Sequence, residues 1–204
     1  MRPKLKIGPL TQLQDARSSA AVGFDILSFS LERGSMKKLA PNTIWNIVNW
    51  LQGPEILLEL NKDSLEELEE MNKSFQADWV SFPLEDWDSS FLGKMPGKVL
   101  LLVKEGVESE SLLALQEMGK DAGKEIFFEI ELATQAGAQT YQSLLSHCFF
   151  HFSESAEAFH FLKEENSAPY GIAQGEEFRE DAEYLDYELI DDWMEAFEEV
   201  YPQD

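Results

Sequence analysis

Cysteine occurs once in this chain of 204 residues, at Cys148, which excludes an intramolecular disulfide framework and a cysteine-rich zinc site. Histidine is also scarce, with three residues, and the 16 Lys and Arg are outnumbered by 39 Asp and Glu, for a formal net charge of −23. Such an excess of negative charge argues against partners bound through phosphates, whether nucleic acid or an anionic membrane. No stretch approaches the roughly 20 apolar residues of a membrane span. No apolar run of signal-peptide length follows the basic start Met1–Gly8, so a cytoplasmic location is expected. Glycine-rich phosphate cradles are missing too: neither Gly119 and Gly123 nor Gly171 and Gly175 can be drawn into a dinucleotide fingerprint or a P-loop. The acidic pair Asp191 and Asp192 lacks the glycine and alternating oxygen ligands of a calcium loop. No metal and no cofactor is implied.

What is present suffices for a core. The 44% hydrophobic content, with 14 Phe and 5 Trp, argues against disorder despite the charge. No Pro/Gly/Ser linker divides the chain, so residues 1–204 read as one domain. Its charge is uneven: residues 1–46 hold seven Lys/Arg against three Asp/Glu, whereas residues 164–204 hold one Arg against fifteen acids.

Short apolar runs recur at an even beat. Candidate strands are Lys4–Gly8, Phe24–Leu31, Glu55–Leu60, Ala77–Pro83, Lys98–Lys104, Glu125–Leu132, Cys148–Ser153 and Pro169–Gly175. Runs such as Val99–Val103 are apolar at consecutive positions, the pattern of a parallel strand buried on both faces. Helical patterns lie between them. Thr11–Val22 starts at a possible N-cap and stops before Gly23, and Asn42–Gln52, Ser64–Phe75, Ser109–Met118, Ser155–Leu162 and Asp191–Val200 continue the series. Eight such units predict a small (β/α)8 TIM barrel ending in an acidic helical segment. The alternating stretch Tyr184–Ile190 competes for the place of the eighth strand.

A parallel barrel carries its function at the C-terminal ends of its strands. Those ends supply Lys6, Gly8, Ser28, Ser30, Glu59, Ser81, Lys104, Glu129, Glu131, His151, Gln174 and Gly175. Glu59, Glu129 and Glu131 interrupt strongly apolar strands, where an unpaired carboxylate costs several kcal/mol or stays protonated. They are expected either to pair with Lys6 and Lys104 across the mouth, as a structural ion-pair layer, or to meet a ligand there. Glu129 and Glu131 share a strand face, and two close acids can divide acid and base roles. His147 and His151 lie about 13 Å apart if both sit on one strand, too far for a shared metal. His151 alone is expected as a wall residue, and Cys148 as a buried small hydrophobe.

The chain resembles the phosphoribosylanthranilate isomerases, small (β/α)8 barrels of tryptophan biosynthesis, over nearly its whole length. Leu5–Ala16 (LKIGPLTQLQDA) followed by Gly23–Asp25 is similar to that family's opening KICGIT…xxDA…GAD. Ser28–Leu31 with Ser35–Pro41 looks like its GFxF…SxRxxSP segment, and Gln76–Ser81 (QADWVS) falls where the family writes xxDxVQLHG. Ile126–Glu129 sits at its LLD. The resemblance implies a general-acid Asp after the sixth strand, a proton-abstracting Cys after the first, and an Arg holding the anthranilate. Those positions hold Glu129, Gly8 and Lys37 here, and the fourth strand's HG is Pro83-Leu84. Lys37 lacks the planar bidentate fork of arginine, and Gly8 has no side chain to act as a base. Where the family holds phosphate, after strands seven and eight, stand Glu154, Glu176 and Glu177.

Three readings remain open, in this order. The first is a diverged barrel without the parent activity, binding an unidentified small molecule or a protein partner through a patch such as Trp87 and Phe91, with Trp45 and Trp50 as packing residues. The second is an enzyme working on a neutral or cationic small molecule through Glu129, Glu131 and Lys6 as catalytic groups. Lys37, Glu59, Ser81, Lys104, His151, Gln174 and Gly175 are the candidate ligand-binding residues. The third is the isomerase itself, with Glu129 as acid.

Overall fold

The computed structural model describes residues 2–152, 169–175, 178 and 185–202. Eight parallel strands follow chain order around a closed barrel: β1 (Lys4–Ile7), β2 (Ile26–Ser30), β3 (Glu55–Glu59), β4 (Trp79–Pro83), β5 (Lys98–Lys104), β6 (Glu125–Leu132), β7 (Cys148–Phe152) and β8 (Gly171–Gln174). Closure is made by β8 on β1, with Lys6 opposite Ala173 and Ile7 opposite Gln174. The (β/α)8 barrel expected from the spacing of apolar runs therefore forms, and β5 and β6 have the expected bounds.

The helices are α1 (Leu13–Val22), α2 (Pro41–Val48), α3 (Leu65–Met71), α4 (Ser109–Asp121), α5 (Gln135–Ala138) and α6 (Tyr187–Val200). Gln12, not Thr11, is the N-cap of α1; Gly23 ends it at φ 106, in the left-handed region open to glycine. The residues after β4 form two 3-10 segments, Leu84–Asp86 and Ser89–Lys94, instead of a full helix. After β6 the short α5 runs into a 3-10 segment, Gln139–His147. These economies let 204 residues close a fold that typically takes about 250. The expected helix Ser155–Leu162 lies outside the described residues. The rival for the eighth strand is settled by α6: the Asp186 carboxylate accepts the Leu189 amide at 3.0 Å, and Ile190, Trp193, Met194 and Phe197 form one buried face. That is a helical period, not a strand's. Among the described residues no helix is long and apolar enough to cross a membrane.

Strand alternation builds two cores. Outward residues such as Leu5, Phe29, Val80, Leu101, Ile130, Cys148 and Ile172 pack under the helices. Cys148 is fully buried, and burial pushes its thiol up to about 12, so it is a packing residue. Inward residues Ile26, Leu57, Trp79, Leu100, Phe127, Phe149 and Ala173 fill the lumen. Gly171 is required there, because a Cβ on it would stand 2.3 Å from the Phe149 ring.

Below this apolar plug, at the N-terminal end, lies an ionic one that the sequence reading missed. The Glu55 carboxylate takes hydrogen bonds from Lys4 Nζ (3.0 Å), Lys98 Nζ (2.8 Å) and Trp79 Nε1 (2.7 Å). Two aspartates tie strand starts together on the same end: Asp25 accepts the Leu5 amide and Asp78 the Ile56 amide, both at 2.8 Å.

The basic start and acidic end of the chain do meet. Tyr187 of α6 donates to Asp15 of α1 at 2.6 Å, Trp193 stacks on Phe24, and the Arg2 guanidinium lies over the Phe197 ring. Glu188, Asp191, Asp192, Glu195 and Glu199 occupy the exposed face of α6. Two aromatic expectations are corrected. Trp87 and Phe91 pack against Phe82 and each other as a satellite of the outer core. Among the described residues the large exposed aromatic side chains are instead Trp50, 71% exposed, and Trp45, 39% exposed; α2 ends at Val48, so Trp50 has no helix face to pack from.

Candidate functional site

The polar residues of the barrel mouth converge on Lys6. Its side chain is 5% exposed, and Nζ lies 2.9 Å from Glu129 Oε2 and 3.9 Å from Glu59 Oε1. Lys6, Glu59 and Glu129 come from β1, β3 and β6, and strand parity aims all three into the lumen above the apolar plug. Ser28, fully buried on β2, donates to Glu59 Oε1 at 2.6 Å. Burial pushes the Glu59 carboxyl above its ordinary range; Lys6 and the Ser28 hydroxyl oppose this, the Glu129 charge adds to it, and Lys37 opposes it from the β2–α2 loop. Ser81, in register with Glu59, belongs to the same lumen face.

Glu131, Lys104 and His151 take a separate position. With Pro83, Glu85, Leu102, Val103 and Glu129 they line a cleft of about 240 Å³ on the β4–β7 side of the mouth. Glu131 is exposed and sits in register with His151. Lys104 does not pair inward: its Nζ meets Glu85 at 3.2 Å on the rim, with the side chain 80% exposed. Glu129 connects the two groups, since it borders the cleft and holds Lys6. His147 is not on a strand; it stacks near Phe127 below the barrel, so the expected strand spacing to His151 does not apply. Among the described residues no group of His, Cys, Asp and Glu is placed to hold a metal.

Gln174 and Gly175 contribute backbone. Gln174 shares parity with the outward Ile172, is buried, and gives its carbonyl to the Gly8 amide at 3.2 Å. Glu154, Glu176 and Glu177 lie outside the described residues.

Gly8 stands where the resemblance implies a catalytic cysteine. Its φ of 144 lies in a region L side chains rarely adopt. A Cβ built on it would stand 2.0 Å from Ser28 Oγ and 2.8 Å from the Ser28 carbonyl oxygen. The place is not vacant but filled, by the hydroxyl that orients Glu59.

Sequence reasoning missed Glu32, just beyond β2. It is half-buried, and burial together with the charges of Glu59 and Asp86 pushes its carboxyl up to about 7. Its position outside every apolar run hid it; only the third dimension brings Glu59 and Asp86 beside it.

The class defined by this fold and mouth is a small (β/α)8 barrel with a polar, largely acidic C-terminal face. No protein-family model matches the chain, and no curated protein matches it in sequence. Among solved structures it is similar to a phosphoribosyl anthranilate isomerase from Thermus thermophilus, with a TM-score of 0.76 at 16% identity over 97% of this chain and 99% of that one. It is also similar to a phosphoribosyl anthranilate isomerase in complex with reduced 1-(o-carboxyphenylamino)-1-deoxyribulose 5-phosphate, at TM-score 0.70 and 14% identity over 98% and 100% of the two chains. A 3-hexulose-6-phosphate synthase from Salmonella typhimurium follows at TM-score 0.63 and 13% identity over 97% and 99%. Many of the similar barrels are phosphoribosylanthranilate isomerases, so the fold is the one that the resemblance implied.

Proposed function

We propose that this chain is a diverged barrel of the phosphoribosylanthranilate isomerase type, acting in the cytoplasm, that does not perform the isomerisation and instead binds a neutral or cationic small molecule at its acidic mouth. The observation that carries this reading is the packing of Ser28 against Gly8. The position expected of the proton-abstracting group has neither a side chain nor room for one. Charge supports it: a ligand with a carboxylate and a phosphate, as in the complex of the similar isomerase, would face Glu32, Glu59, Asp86 and Glu129 with Lys6 already committed to two carboxylates. Glu129 could still serve as an acid, but Lys6 at 2.9 Å holds it as an ion pair.

The test is complementation of a tryptophan auxotroph lacking the isomerase, together with a direct assay on the purified protein. Neither growth nor turnover is expected; growth at high expression overturns the reading. Gly8→Cys is expected to stay inactive. Gly8→Ala should lose about 2–4 kcal/mol in thermal unfolding from the contact and the backbone strain. Ser28→Ala added to it should recover only part, because the Ser28 carbonyl oxygen, 2.8 Å from the same point, remains.

A further inference from the structure

On the outer wall of the barrel, α2 presents a surface of unusual chemistry for so acidic a chain. Although 27% of the residues are charged, Leu39–Pro54 contains no charged side chain. The side chains this stretch shows to solvent include Asn42, Trp45, Asn46, Asn49, Trp50 and Gln52, that is, amides and indoles.

A cavity of about 460 Å³ opens between α2 and α3, within the roughly 300–1,000 Å³ of small-molecule sites. Asn42, Trp45 and Asn46 form its α2 side, at the spacing that puts three side chains on one helix face. Glu70 and the buried Met71 of α3, with Ser74 just beyond it, form the other side. Trp45 Nε1 donates to the Ser74 carbonyl oxygen at 3.2 Å. That bond occupies the polar edge of the indole and fixes the ring, so what remains for a ligand is its apolar face. The Asn42 and Asn46 amides have no hydrogen-bond partner among the described residues.

The lining discriminates between ligand classes. No cationic side chain borders the cavity, which disfavours an anion. Its one carboxylate, Glu70, already holds Lys73 at 2.8 Å, so no uncompensated charge calls for a cation. A purely apolar molecule would strip water from the two amides without replacing their hydrogen bonds. An uncharged molecule with hydroxyls around its edge and C–H groups on its face suits both features. The negative face of the indole receives the C–H groups, and the amides exchange hydrogen bonds with the hydroxyls.

We propose that this cavity is a binding site for a neutral sugar, one pyranose face lying on the Trp45 ring and its edge hydroxyls reaching Asn42, Asn46 and Glu70. No residue of the barrel mouth borders it, so this site is separate from the one proposed above.

The probe is methyl β-glucopyranoside, followed by NMR titration of the full chain through the tryptophan indole and asparagine amide signals. A millimolar dissociation constant is expected, as for other ligands of about a dozen non-hydrogen atoms. Shifts should fall on the Trp45 indole and on the Asn42 and Asn46 side chains. Trp45→Ala should weaken binding about ten-fold or more, and Asn42→Ala combined with Asn46→Ala about ten-fold. Trp50→Ala should leave it nearly unchanged, since Trp50 does not border the cavity. Trp45→Phe, which keeps an aromatic face, should retain most of the affinity and separates loss of stacking from disturbance of α2. No saturable shift at about ten times the expected dissociation constant, unchanged affinity in Trp45→Ala, or equal binding of glycerol overturns the proposal. So does tighter binding of tetramethylammonium, which would make the cavity a cation site. An indole shift that follows protein concentration instead of sugar overturns it too, and would make the face a contact between two copies of this chain.

Discussion

Replacing Lys6 by methionine is expected to destabilise the barrel by about 3–5 kcal/mol at pH 8, the cost of leaving buried carboxylates without their cation. In a chain of this size that lowers the melting temperature by about 10 °C or more. Methionine keeps the length and apolar stem of the lysine, so the loss reports charge rather than volume. The sign of the pH dependence follows from the carboxylates. Burial already raises the Glu59 carboxyl and Lys6 opposes that, so without Lys6 Glu59 binds its proton still more tightly in the folded state than in the unfolded one, and the variant recovers as pH falls and loses most as pH rises. Adding Glu59→Gln and Glu129→Gln to Lys6→Met should restore most of the stability at pH 8. If Lys6→Met costs less than about 1 kcal/mol, the value of an exposed pair, the mouth is wet and the three residues are not a buried unit. Thermal melts of the single and triple variants at pH 5 and pH 8 distinguish these outcomes.

The second large effect is expected at the opposite end of the lumen. Partial burial raises the Glu55 carboxyl, but the hydrogen bonds from Lys98, Trp79 and Lys4 outweigh it and hold the group at about 2. A carboxyl depressed in the folded state stabilises the fold above its unfolded value near 4.5 and loses that contribution as pH falls toward 2. Glu55→Gln should therefore cost about 2 kcal/mol at pH 7, a figure reduced from the full shift because the site is partly solvated. The difference from wild type should shrink steadily below pH 4.5 and be nearly gone at pH 2. Urea unfolding over this range measures it. A difference that stays constant down to pH 2 would show that packing around Trp79, not the ion pairs, is what Glu55 supports.

These two residues divide the barrel in a way that explains the sequence resemblance. Asp15, Asp25 and Asp78, which carry much of the likeness to the isomerase motifs, all have structural duties. Asp15 fastens α6 to α1, and Asp25 and Asp78 fasten strand starts. The residues that depart from the motifs, Gly8, Lys37, Glu129 and Pro83, all belong to the C-terminal ends of strands or the loops beyond them. Stability features of a barrel collect at the first end and chemistry at the second. Of the residues that carry the likeness, Asp25 and Asp78 lie at the end where a barrel is held together.

Part of the site was legible for the same reason. Once β1, β3 and β6 are placed by their apolar runs, period-two alternation aims Lys6, Glu59 and Glu129 inward. Lys4, Glu55 and Lys98 share parity with Lys6, Glu59 and Lys104, so the lower ionic plug could have been found by following each strand back to its start. Glu32 left no such mark, since it follows a strand and belongs to no periodic pattern.

The sequence by itself determines the number, order and type of the repeating units, because strand and helix periods are local properties of a few consecutive side chains. Closure is not local. Whether Lys6 pairs with Glu129 or Lys104 turns out to Glu85, whether Ser28 fills the space at Gly8, and whether Glu32 feels the charges of Glu59 and Asp86 depend on atoms contributed by strands and loops distant in the chain. Only the closed barrel sets those distances, and at these separations a shift of an ångström decides between an ion pair, a clash and an unoccupied charge.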